Sequence, residues 1–145
     1  MLKKPKPLNN GTWTESEFIA KIQNHLRRFR GWKPPYAVKK AAERKSQSDN
    51  KRLKYEYKCA CCGNFFASSE IQLDHIQPVI DPLEGFIDWN NYIQRLFVEK
   101  EGYQVLCKPC HLEKSKSENE IRHEIKRENK SAVEKKTKKK SGNKN

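Results

Sequence analysis

Four cysteines in two matched pairs constrain this chain more than anything else in it. Cys59-x-x-Cys62 and Cys107-x-x-Cys110 each form a tight turn that offers two thiolates, and two such turns close a four-sulfur shell. That spacing predicts a tetrahedral structural zinc site with no open position, one that holds structure and performs no chemistry. The competing readings are reduced cysteines in a core, or a redox Cys-x-x-Cys. A redox motif comes singly within a βαβ unit, whereas this one is duplicated in an α+β pattern. Cys61, inside the first turn, is the spare fifth cysteine. The odd count and the metal-type spacing argue against a disulfide framework.

A zinc staple also answers a deficit in the composition. The chain has 145 residues and 34% hydrophobic content, against roughly 45–50% for an ordinary globular domain. Its core must be small, and metal binding would supply folding energy that burial cannot. The net charge of +13 points to a polyanion, with nucleic acid as the first candidate partner. There is no run of 18 or more apolar residues, and the first ten residues lack the apolar segment of a signal peptide. The expectation is a soluble, intracellular protein with no membrane partner.

Along the chain, residues 1–12 read as a disordered basic lead and 13–50 as an N-terminal helical extension. Thr14 to Glu17 form a capping box, with Trp13 and Phe18 as a hydrophobic staple. Phe18, Ile22, Leu26 and Phe29 recur at helical spacing, predicting a helix over 15–30 that ends at Gly31. A second helix is expected over 36–47, with a thin apolar stripe of Val38, Ala41 and Ala42. Its Lys39, Lys40, Arg44 and Lys45 would line either a DNA-facing surface or a plain solvated face. Tyr55-Glu56-Tyr57 alternates and leads into the first cysteine turn, Asn64-Phe65-Phe66 leaves it, 71–76 reads as a second strand with period two, and Tyr103 to Leu106 leads into the second cysteine turn. Between the last two, Trp89, Ile93, Leu96 and Phe97 fall on one face of a helix over 88–98. A helix from Pro109 to about 128 comes next, and 126–145 reads as a disordered cationic tail.

The gap between the cysteine turns, residues 63–106, is longer than a compact zinc ribbon needs. Asp74-His75 lies inside it, and His111 directly follows the last cysteine. The zinc would tie the last helix to the first turn and so bring His111 against the Asp74-His75 strand. The three residues could then converge on one catalytic metal, if the strand bends before Pro78. The plainer alternative is that His111 is structural or a spare zinc ligand.

These pieces, in this order, resemble a known family. Cys59-x-x-Cys62, Leu73-Asp74-His75-Ile76-x-Pro78 and Gln104-Val105-Leu106-Cys107-x-x-Cys110-His111-x-x-Lys114 look like the HNH endonuclease motif with its zinc clamp. The likeness covers roughly residues 55–118, within an expected nuclease domain at 51–125. Leu26-Arg27-Arg28 with Trp32-x-Pro34-Pro35, and Trp89-x-x-Tyr92-Ile93-x-Arg95-Leu96-Phe97, resemble the small HNH nucleases of bacteriophages and prophages.

The resemblance implies an α+β protein with a ββα-metal core stapled by zinc. It implies a metal-dependent DNA endonuclease in which His75 is the general base. Asp74 and His111 would hold one divalent ion, magnesium, manganese or nickel. Lys114, Arg27, Arg28, Lys39 and Lys40 become candidate DNA contacts, although an exposed lysine is the default reading of Lys114. A phage enzyme of this type would act in the cytoplasm of a bacterial host, beside packaging or replication proteins that the sequence does not identify. The chain departs from the family where an asparagine that orients the base is expected: Gly102 stands there. Asn90, Asn91 or a backbone carbonyl could substitute, and Asn91 joins the candidate site on that basis. The rival readings are a non-catalytic zinc-ribbon DNA-binding module, for which charge and cysteine turns suffice, and a protein directed at RNA.

Overall fold

The computed structural model describes residues 4–141, with side chains as far as residue 132. The chain divides into two compact units, Met1–Lys33 and Pro34–Asn145. The division falls at 33/34 and not at 50, because the segment after the prolines packs and pairs with the strands C-terminal to it.

In the first unit, a turn at 9–12 closes on a bridge between Leu8 and Trp13 and leads into helix α1, Glu15–Arg27. The Thr14 capping box forms as expected: its hydroxyl accepts from the Glu17 N–H at 3.2 Å, and the Glu17 carboxylate accepts from the Thr14 N–H at 2.7 Å. The helix stops three residues short of the expected end. The Arg28 and Phe29 N–H groups reach back only three residues, to the carbonyls of His25 and Leu26, which tightens and closes the last turn. Phe29 then folds over Gly31, where a Cβ would lie 2.7 Å from the ring.

The second unit opens with α2, Pro34–Ala41. Both prolines sit in its first turn, where no intrahelical acceptor awaits an N–H. The expected helix over 36–47 is cut short, since Glu43–Lys45 forms strand β1. Cross-strand partners explain the change. β1 pairs antiparallel with β2, Tyr55–Lys58, in a register that sets Arg44 opposite Glu56 and Glu43 opposite Tyr57. Arg44 bonds Glu56 at 3.0 Å, Tyr57 Oη donates to Glu43 at 3.1 Å, and Ser46 donates to Glu56 at 2.9 Å. These contacts form only in the sheet and outweigh the local helical preference. β3, Phe65–Phe66, completes the order β1-β2-β3.

A second sheet pairs β4, Ile71–His75, with β5, Tyr103–Cys107, antiparallel in the register Ile71↔Cys107 through His75↔Tyr103. α3, Trp89–Leu96, lies between them in sequence, capped by Asp88. Its buried residues are Tyr92 and Leu96, whereas Ile93, expected on the inner face, is exposed. α4, Lys108–Ser141, begins within the second cysteine turn and contacts both strands. Its backbone is helical well past 128 and through the stretch read as a disordered tail; residues 142–145 lie outside the described part. Lysine, a strong helix former, dominates that extension.

The core is as small as the composition requires. One cluster joins Tyr57, Ile71 and Val105, with Val38, Ala42, Phe66 and Leu73 packed against it. The other joins Cys59, Leu106 and Cys107, with Phe66 and Cys110 beside them. Of the stripe expected on the second helix, Val38 and Ala42, the latter just beyond α2, pack on the core, whereas Ala41 is exposed. Among the described residues, no helix is long and apolar enough to cross a membrane.

Candidate metal centre and strand-end site

The Cys59–Cys62 turn is built by the backbone. The Gly63 N–H returns to the Cys59 carbonyl at 3.0 Å, with Gly63 at φ +74°, a left-handed conformation that glycine adopts without a Cβ penalty. The Ala60 N–H docks the turn onto β5 through the Val105 carbonyl at 2.8 Å. Cys107 ends β5 and Cys110 sits in the first turn of α4, so the strand-to-helix junction forms the second turn. The four ligand sulfurs of Cys59, Cys62, Cys107 and Cys110 lie within 4.8 Å of one another. A tetrahedral zinc with Zn–S of about 2.3 Å places its sulfurs ~3.8 Å apart, so the group could hold such an ion. Cys61 is exposed and is not a member.

The electrostatics of the group suit a cation. Burial pushes the Cys59 thiol up, but N–H donors from Cys107, Cys62 and Cys61 outweigh it and bring Cys59 down to about 6. The Cys107 N–H stands 3.3 Å from the Cys59 sulfur. Cys110 moves upward, first because of the Cys107 thiol beside it, and Cys107 moves upward through burial. One thiolate is stabilised by the backbone, and its neighbours resist joining it. A divalent ion relieves that resistance.

Register explains the second site. Opposed residues of an antiparallel pair share a face, so Asp74 meets Gln104 and His75 meets Tyr103. Gln104 Nε2 donates to Asp74 Oδ2 at 3.0 Å, and the His75 and Tyr103 rings stand 4.5 Å apart. The two side chains therefore leave opposite faces in the last two residues of β4. On the Asp74 side, His111 Nε2 from the first turn of α4 lies 3.8 Å from Asp74 Oδ1. Two ligands at about 2.1 Å from one ion are separated by at most ~4.2 Å, so this pair is close enough to converge on a shared divalent cation after a small adjustment. Asp74 is 15% and His111 31% exposed at the side chain, which leaves the site reachable from solvent.

On the other side, His75 Nε2 is 2.8 Å from the Leu96 carbonyl, which also accepts from Tyr103 Oη at 2.9 Å. A carbonyl can only accept, so Nε2 carries the proton and the lone pair of the neutral ring belongs to Nδ1. The orienting role thus falls to a carbonyl at the end of α3. Asn91 is in the first turn of that helix, its N–H donating to the Asp88 cap at 2.7 Å. Gly102, where the asparagine was expected, is enforced by packing: a Cβ there would stand 2.4 Å from Val98 Cγ2. Its carbonyl accepts from the Ile76 N–H at 2.9 Å, holding the chain as it leaves β4.

The candidate DNA contacts are placed unevenly. Lys114 Nζ lies 2.6 Å from both Asp74 Oδ2 and the His75 carbonyl, and 3.4 Å from Glu118. It is committed inside the site and does not project outward. Lys39 donates to Ser68 Oγ at 2.6 Å and lies over the Tyr57 ring; Lys40 pairs with Glu43 and lies over Tyr55. Lys39 thus links the three-stranded sheet to the turn at 68–70, and Lys40 stays 75% exposed in its ion pair. Arg27 and Arg28 end α1 in the first unit, where Arg28 lines a groove with Trp13, Lys21 and His25. Sequence reasoning passed over Gln104, Tyr103 and Glu118. The first two were accessible through strand register, and Glu118 through its i+4 spacing from Lys114.

Comparison of the chain with family models, with curated proteins and with solved structures returned no significant match. What the fold and sites define is an α+β protein with a four-cysteine group that could bind a metal, compatible with structural zinc.

Proposed function

We propose that this chain is a metal-dependent endonuclease of HNH type that hydrolyses phosphodiester bonds in DNA with little sequence preference. The observation that carries the reading is the strand end: a histidine with a fixed tautomer, preceded by an aspartate whose carboxylate oxygen is 3.8 Å from a second imidazole. The β4-β5-α4 succession, with the cysteine group at its base, supports it as the frame of a ββα-metal core. His75 Nδ1 accepts the proton of the attacking water, while the Leu96 carbonyl holds the imidazolium that results. Asp74 Oδ1 and His111 Nε2 would hold a divalent ion, which would supply charge stabilisation to the phosphate and the leaving oxygen. Because base and ligands leave opposite faces of β4, the scissile phosphate lies across the strand end, where the chain turns at Ile76. The charge of +13 supplies backbone affinity without base reading. A phage or prophage origin belongs to the same reading.

One observation favours a binding module instead: Lys114 already compensates Asp74, as a structural ion pair would. Plasmid nicking separates the two. Cleavage should require magnesium or manganese, stop under mild chelation with zinc retained, and be lost in His75→Ala. Cleavage that persists through chelation, or His75→Ala at the parental rate, rejects this mechanism. Zinc-loaded, folded protein that binds DNA and never cuts leaves the binding module.

A further inference from the structure

Asp74 divides its two oxygens between two tasks. Oδ2 accepts from Lys114 Nζ at 2.6 Å and from Gln104 Nε2 at 3.0 Å, whereas Oδ1 faces His111 Nε2 at 3.8 Å. Lys114 is itself held between Asp74 and Glu118, and its third anchor is the His75 carbonyl. Glu118 is fixed in turn by Arg122 at 3.5 Å. The lysine side chain is therefore only 26% exposed at the meeting point of two carboxylates, beside the Asp74–His111 pair. Its ammonium touches the strand-end carboxylate directly.

From this we infer that Lys114 is a resident counter-cation that keeps divalent-metal affinity low until a phosphate arrives; the inference rests on the metal-site reading of Asp74 and His111. A monovalent ammonium on Asp74 neutralises the carboxylate that a divalent ion needs, and it repels that ion at close range. Lysine is suited to the task, being a compact charge on a flexible four-carbon stem with no fixed fork. A bound phosphate offers the ammonium a second anion within the same site. Charge brought by DNA then substitutes for charge withheld by Lys114, and metal and DNA bind with positive coupling. Free protein would carry its zinc and little else, and the strand-end ion would be taken up with the substrate. No bond is made or broken in this step.

The test measures manganese affinity, not turnover, by following free Mn²⁺ with electron paramagnetic resonance. The His75→Ala background prevents cleavage, and short duplex DNA is the probe. Lys114→Met should bind Mn²⁺ on the order of tenfold more tightly than its parent in the absence of DNA. Added DNA should tighten Mn²⁺ binding in the parent and do so much less in Lys114→Met. Lys114→Arg, which keeps the charge, should retain the weak parental affinity. Zinc content and circular dichroism establish that each variant is folded. Unchanged or weaker Mn²⁺ binding in folded Lys114→Met overturns the inference, as does equal coupling to DNA in both proteins. Failure of the underlying reading looks different: Asp74→Ala would then bind Mn²⁺ as the parent does, or no protein in the series would bind it at all.

Discussion

At the scale of single residues, the strand-end site is set by atoms that are close for backbone reasons. His75 is held by a main-chain carbonyl and by the ring of the residue opposite it in the ladder. Tyr103→Phe removes the hydroxyl that shares the Leu96 carbonyl while retaining the ring. On the proposed mechanism it should leave zinc content unchanged and reduce single-turnover cleavage several-fold, since a general base that rotates more freely would contribute less of the usual factor of about 10²–10⁴. Parental cleavage by that variant would mean that the Leu96 carbonyl alone suffices. Gly102 makes a second, steric prediction. Gly102→Ala drives a Cβ into Val98 and should destabilise the fold by about 1–3 kcal/mol in urea titrations. Pairing it with Val98→Ala should recover part of that loss, because the clash partner has been trimmed. If the double variant is merely the sum of two separate losses, the close approach is not what makes glycine necessary.

At the scale of elements, the four-cysteine group and the sheet depend on each other. β5 delivers Cys107 to the group and lends the Val105 carbonyl to the first turn; the first turn of α4 holds Cys110, and the helix carries His111 and Lys114 along β4. Cys107→Ser should therefore lose zinc, part of its helicity and the Asp74–His111 approach together. Metal analysis with circular dichroism reads the first two, and full zinc content in the variant would remove the four-cysteine assignment. Mild chelation should spare this closed sulfur site, while a chelator strong enough to strip it should unfold the second unit, because binding energy here is folding energy. α4 is unevenly supported. Its first turns lie against β4 and β5, and beyond Ile125 its described side chains are exposed. The distal part consequently rests on helical propensity and not on packing.

At the scale of the whole molecule, charge is the dominant property. The net +13 is large, but two lysines that looked available for DNA are engaged within the fold, Lys39 with Ser68 and Tyr57 and Lys114 with Asp74, while Lys40, paired with Glu43, stays 75% exposed. Phosphate binding then depends more on other cations, and residues 126–145 supply many of them in the sequence. Truncation after residue 125 should weaken DNA binding and flatten the slope of log affinity against log salt. Cleavage at saturating DNA should change little, since the site residues all precede the cut. Equal affinity at every salt concentration would show that residues 126–145 serve something other than DNA.

The sequence by itself determined those features whose cause is local. Cysteine spacing dictates two turns, each bringing its own pair of sulfurs together; Thr14 and Glu17 cap a helix within four residues; alternation at 71–75 forces a strand. The same locality placed Asp74 and His75 at a strand end and His111 one residue beyond a ligand cysteine. Only the tertiary structure decided what those residues touch. Residues 43–45 leave helix for sheet because Glu56 and Tyr57 offer partners that no local window contains. The group that orients His75 is a main-chain carbonyl, which every residue possesses and no side-chain pattern can mark. Lys114 points into the site because two carboxylates converge there, Glu118 one helical turn away and Asp74 forty residues away in sequence. Local spacing carries periodicity and capping; the pairing of distant charges and carbonyls is settled only when the strands find their register.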